Sequence, residues 1–262
     1  MNSHPVSRRA ETLKLGEAMT SNPRSRNKAF LTYFFSTAVL GIVLIAVSCY
    51  QVSHTGIDFR WLILVALTGI AANATLKIPA INSKISVADT FVLTSMIFFG
   101  PAAGCIAAAL EAFSGSIRGS TKARRLEFAL FNIGNVALCA YLAGQMFFLV
   151  LGKGPLHHNP EMTLAGLFPA AVILALSYYL LNSGTVALMV ALESRKSACR
   201  IWKENFLWHA INYIACTFGA VLITANGSLI TPLTLAAAVL VVMTIYVGYR
   251  NVLGRIAPNP QA

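Results

Sequence analysis

Long apolar runs separated by short connectors, every second one basic, recur from about residue 29 to residue 250. The run over 29–50, AFLTYFFSTAVLGIVLIAVSCY, is long enough to cross the roughly 30 Å apolar layer of a bilayer as a helix. A soluble fold could not cover this pattern. Hydrophobic residues make up 56% of the chain and charged residues 11%, against about a quarter charged in an ordinary soluble domain. The two-residue alternation of a membrane β-barrel is absent. The expected fold is therefore all-α, a polytopic transmembrane helix bundle of about eight segments. They fall near 29–50, 60–76, 86–99, 102–117, 126–151, 163–192, 206–225 and 230–250. A basic tail over 1–28 precedes the bundle over 29–250, and a short tail over 251–262 follows it. The first run is too long for the apolar region of a cleaved signal, so it is expected to stay as a span.

The positive charge has a topological meaning. With the N-terminus inside, all but Arg60 and Lys153 of the 20 lysines and arginines fall on the inner side. That asymmetry predicts both ends in the cytoplasm. It also accounts for the +11 formal charge without nucleic acid, which is not an expected partner. The third and fourth segments are short. They form either two spans or a re-entrant hairpin, and the charge rule reads the same for both. Pro169 predicts a kink in the sixth segment. Tyr50, Phe59 and Trp61 on the outer side, and Trp202 and Trp208 on the inner, sit where interface anchors belong. SRKSACRIWKENFLWH reads either as a helix on the inner surface or as a plain basic loop.

Few acids occur, and two of them flank one break. In ISVADTFVLTSMIFFGPAAGCIAAALEAF, Asp89 and Glu111 lie eleven positions before and after Gly100. A helical hairpin turning at Gly100-Pro101 places both at one depth, about 16 Å from the turn. Such a pair can share a proton, bind a cation, or form separate ion pairs with inner arginines and lysines. Asp89 can equally cap the helix that starts at SVADT. Asn73, Asn132, Asn135, Asn182, His209 and Asn212 fall in the inner halves of neighbouring segments. Each alone reads as a hydrogen bond between helices. Together with Asp89 and Glu111 they make a candidate ligand-binding set. The five cysteines have no metal or disulfide spacing, and His157-His158 alone chelates poorly. No catalytic or nucleotide-binding motif is visible, so no metal, cofactor or enzymatic activity is expected.

ISVADTFVLTSMIFFGPAAGCIAAALEA, LEFALFNIGNVALCAYLAG and YYLLNSGTVALMVALESRKSACRIWKENFLW together resemble bacterial multi-helix membrane sensor modules. In that family the module precedes HD-GYP phosphodiesterase or GGDEF cyclase domains. The resemblance covers roughly residues 60–225. It implies a non-enzymatic, multi-pass protein of the bacterial inner membrane that binds a small or lipidic ligand. The twelve residues after Arg250 carry no HD, GYP or GGDEF pattern. The implied module therefore signals to a separate cytoplasmic or membrane partner. The hairpin around Gly100-Pro101 also resembles that of substrate-binding subunits of vitamin transporters. A small-molecule transporter, or a subunit of one, is the alternative.

Overall fold

The computed structural model describes residues 28–225, apart from 57, 73–74, 79–82, 117–121, 159–161 and 208. The eighth expected segment, over 230–250, both tails except Lys28, and Asn73 lie outside the described residues. Among those described there are eight α-helices. They are α1 (Lys28–Thr55), α2 (Phe59–Ala71), α3 (Ala88–Phe99), α4 (Pro101–Ser116), α5 (Lys122–Leu151), α6 (Leu164–Ser194), α7 (Ala198–Asn205) and α8 (His209–Ala225). A 3-10 turn, Leu156–His158, joins α5 to α6.

One element departs from the all-α expectation. The second segment stops being helical at Ala71, and the chain forms a short antiparallel hairpin, β1 (Thr75–Ile78) with β2 (Ser83–Ser86). Thr75 pairs with Ser86 and Lys77 with Lys84. Short extended runs such as TLKI and SKIS cannot be told from helix by apolarity alone.

The helix ends have local causes. Asp58 caps α2, accepting from the Arg60 N–H at 2.8 Å. Gly100 closes α3 at φ 105°, a conformation that side chains with a Cβ resist, and Pro101 opens α4 at the first helical position, where its missing N–H costs nothing. Thr163 caps α6, its hydroxyl accepting from Gly166 N–H. The helix then runs unbroken past Pro169 to Arg195, which closes it in the left-handed region.

Three helices are long and apolar enough to cross a membrane: α1, α5 with the turn after it, and α6. The bent pair α7 and α8, set at 64°, counts as a fourth if it forms one span. The fold is thus that of a helical membrane protein. Its outer faces are apolar, with Val39, Val43 and Val47 of α1 and Leu149 of α5 all exposed. By contrast α3 is almost fully enclosed, with ten of its 12 residues buried. It packs on α2, α4 and α8, while α5 packs on α1, α4 and α6. At 1.5 Å per residue, α3 is about 18 Å long and α4 about 24 Å, each short of the apolar layer.

Close packing at two places depends on missing side chains. A Cβ on Gly41 of α1 would fall on the Gly134 carbonyl of α5. One on Gly104 would meet the Met96 Cβ at 2.5 Å, so Gly104 lets α4 lie against α3.

Candidate functional site

The hairpin of α3 and α4 turns at Gly100-Pro101, and its two legs bring Asp89 and Glu111 side by side. Their carboxyl groups lie within side-chain hydrogen-bonding reach of each other. Such a pair bonds only when one carboxyl carries a proton, because a carboxylate only accepts. Asp89 is 8% exposed and also accepts from Asn212 Nδ2 at 2.9 Å. The equal depth inferred from the eleven-residue spacing is thus realised as contact. Asp89 does not cap α3: the N-cap is Val87, with no side-chain bond. Nor does Asp89 pair with arginine or lysine among the described residues. The two ion pairs described are Arg60 with Asp58 and Arg200 with Glu204.

A second chain of bonds runs alongside. Asn135, fully buried on α5, donates to Asn182 Oδ1 at 2.8 Å. Asn182 donates in turn to the Tyr213 hydroxyl at 2.7 Å. Tyr213 follows Asn212 on α8, and both it and Tyr178 lie within electrostatic reach of the two carboxyls. The Tyr178 and Tyr213 rings meet edge to face at 5.2 Å. Two cysteines complete the set: Cys139 Sγ donates to Asn135 Oδ1 and Cys216 Sγ to Asn212 Oδ1, each at 3.7 Å. Five helices, α3, α4, α5, α6 and α8, therefore meet at one buried polar cluster. Leaving such groups unpaired in an apolar interior would cost several kcal/mol each, so the bonds dictate how these helices must fit.

Of the eight candidate residues Asn73 lies outside the described residues, and five of the other seven, Asp89, Glu111, Asn135, Asn182 and Asn212, belong to this cluster. Two do not. Asn132, on α5, donates instead to Oγ of Ser116, the last residue of α4, at 3.5 Å. His209, at the start of α8, lies against Phe206 with ring centres 5.7 Å apart and 46° between planes. The sequence reading missed Tyr178 and Tyr213. Their signal was present: Tyr213 adjoins Asn212, and Tyr178 lies one helical turn from Asn182.

The cluster also touches the bundle end. Ser183, next to Asn182, accepts from Trp202 Nε1 of α7 at 2.8 Å, and Tyr179 donates to the Phe206 carbonyl at 3.2 Å. SRKSACRIWKENFLWH thus contains a separate short helix, with Ile201 buried and Arg200 and Lys203 exposed. Trp202 turns its Nε1–H into the protein. Trp61, at the opposite end, is 7% exposed.

At that opposite end, among the described residues, a cavity of about 330 Å3 opens beside the hairpin tip. Phe99, Ala103, Asp58, Trp61 and the two histidines of the 3-10 turn contribute to its wall. His157 Nδ1 donates to the Phe98 carbonyl at 2.8 Å. No group of three or more metal-ligating side chains occurs among the described residues. No protein-family model matches the chain, and no curated protein or solved structure does either.

Proposed function

We propose that the chain is a non-enzymatic sensory module, a multi-pass protein of the bacterial inner membrane with its basic end in the cytoplasm. It would bind a small ligand in its helix bundle and report occupancy to a signalling partner. One observation carries this reading. The buried cluster on Asp89 and Glu111 is linked through neighbouring residues, Asn182 and Ser183, to α7 at the basic end. A change in protonation or contact at the acids alters the bonds that set α6 against α8. The same shift moves the seat of Trp202, and so α7. The enclosed hairpin of α3 and α4 supports a re-entrant arrangement, since neither leg has the length to cross unaided.

The test uses a fluorophore on Cys199, an exposed position of α7, in protein held in lipid nanodiscs. Small molecules retained through gentle purification are identified by mass spectrometry, then removed and added back. The sensory reading expects a ligand-dependent change at Cys199 that is lost in Asp89→Asn and Glu111→Gln. A fluorophore signal indifferent to ligand in the parent protein, or unaltered in both variants, sinks it.

A transporter reading has its own support. Discontinuous helices are a recurrent way to build a substrate site near the bilayer midplane. Uptake of the retained molecule into proteoliposomes, abolished by the same two substitutions, would favour that reading over the sensory one.

A further inference from the structure

Asp89 is the second residue of α3, and Glu111 lies in the last turns of α4, so the acid pair sits toward the basic end of the bundle. Asp89 Oδ2 accepts from Asn212 Nδ2 at 2.9 Å. Cys216 Sγ donates to Asn212 Oδ1 at 3.7 Å, which holds the amide in that orientation. The Glu111 carboxyl lies within hydrogen-bonding reach of Asp89. No lysine or arginine among the described residues bonds Asp89.

The groups that face the pair bring no compensating charge. Among the described residues they are Tyr213 and Cys216 from α8 and Tyr178 from α6, with Cys139 of α5 within reach of both tyrosines. Phenols and thiols are uncharged near neutral pH. On α2 the titratable group is Arg60, which is bonded to Asp58 at the far end of the bundle. Tyr33 of α1 donates to the Thr185 carbonyl. With both acids ionised, two negative charges would repel across a hydrogen-bonding distance, and neither could donate to the other. One proton removes one charge and supplies the missing donor.

A second observation comes from α6. Tyr178 is 1% exposed, and its hydroxyl has no hydrogen-bond partner among the described residues. That hydroxyl lies within electrostatic reach of both carboxyls, and its ring is seated edge to face on Tyr213. A buried hydroxyl left unpaired is unfavourable. When the acid pair gives up its proton, the new carboxylate offers an acceptor, and Tyr178 can turn to donate to it.

We infer that Asp89 and Glu111 form a proton-binding site, which takes up one proton from the basic side of the bundle and returns it to that side. The inference rests on the sensory reading and names the proton as the ligand of its acid pair. With the proton bound, the two carboxyls are bonded and α3 is joined to α4. With the proton released, the carboxylates repel and one turns toward Tyr178. Asn212 follows Asp89, and the adjoining Tyr213 passes the shift through Asn182 toward Ser183 and α7.

The test uses the full chain in lipid nanodiscs. Infrared spectroscopy reads the C=O stretch of a protonated carboxyl, which stands apart from the carboxylate bands. Cys199 carries a pH-insensitive fluorophore, with the other exposed cysteine removed as Cys49→Ser. The parent should show a protonated-carboxyl band at neutral pH that disappears as the pH is raised, and the Cys199 signal should change with the same midpoint. In Asp89→Asn and in Glu111→Gln an amide N–H takes the place of the shared proton. Both variants should lack the band and the pH response of Cys199. Tyr178→Phe keeps the ring and removes the donor that favours the released state. Both titrations should then move to higher pH, by about one unit. Circular dichroism and size exclusion establish that each variant is folded, and Tyr178→Phe carries the test if the acid variants fail to fold. A parent without the band, or with one that both acid variants retain, overturns the proposal, as does a midpoint that Tyr178→Phe leaves in place. A Cys199 response to a retained small molecule but not to pH removes the proton as ligand and leaves the sensory reading standing. A band that titrates while Cys199 responds to neither sinks the sensory reading and leaves the proton site in place.

Discussion

Asn135 and Asn182 look alike in sequence to Asn132, yet their environments separate them. Asn182 both accepts from Asn135 and donates to Tyr213, so replacing it strands two buried partners. Asn182→Leu should destabilise the protein by about 1–2 kcal/mol. Asn132→Ala, which removes one long bond to a half-buried serine, should cost less than about 0.5 kcal/mol. Thermal unfolding in one detergent reads both, and equal losses would refute the distinction. Asp58 gives a pH-dependent case. The Arg60 guanidinium bonded to it holds its carboxyl below the ordinary value of 3.8. Folding therefore favours the ionised form. The resulting stability is complete above the unfolded value and is lost as pH falls through the lower folded one. Asparagine is also a good helix cap, so Asp58→Asn chiefly removes the charge. The melting-temperature gap between parent and variant should stay constant from pH 7 to about pH 4 and shrink at lower pH. A gap that widens on acidification would contradict the assignment.

Helices α1 and α5 approach through Gly41 and Gly134. A Cβ on Gly134 would lie 2.8 Å from the Ala38 carbonyl oxygen, so a larger residue must push two backbones apart. Gly134→Leu should destabilise by about 3 kcal/mol or more. Gly115→Ala is the matched control, since nothing lies within 4 Å of an added Cβ there. In that helical position alanine is neutral or stabilising, by about 0.5–1 kcal/mol. Comparable losses in the two variants would argue against glycine-mediated contact of α1 with α5. The hairpin of α3 and α4 works at the same scale. Gly100-Pro101 marks its turn in the sequence, because positive φ favours glycine and a first helical position tolerates proline. The β-hairpin between α2 and α3 had no comparable marker.

For the whole molecule, the proposed orientation makes a direct prediction. Lys153 and Lys196 are exposed at opposite ends of the bundle. With the two exposed cysteines, Cys49 and Cys199, changed to serine, a membrane-impermeant maleimide on intact cells should label Lys153→Cys and spare Lys196→Cys. The reverse pattern would invert the topology. The membrane class of the fold was legible from the apolar runs alone, because a span must be long and uninterrupted whatever surrounds it. The turn at Gly100 and the shared depth of Asp89 and Glu111 were legible too, since both follow from fixed backbone rules. The partners were not. Nothing in the order of residues says that Asn212 bonds Asp89, that Asn182 joins Asn135 to Tyr213, that Trp61 is buried, or that Trp202 bonds Ser183. Nor does it say that Asp58, Phe99 and His157, far apart in the chain, enclose a cavity. Sequence by itself determined which runs are long and apolar enough to cross an apolar layer, because length and apolarity are local. Which buried polar group satisfies which other was decided only in the tertiary structure, because each bond depends on the rotation and depth of two helices at once.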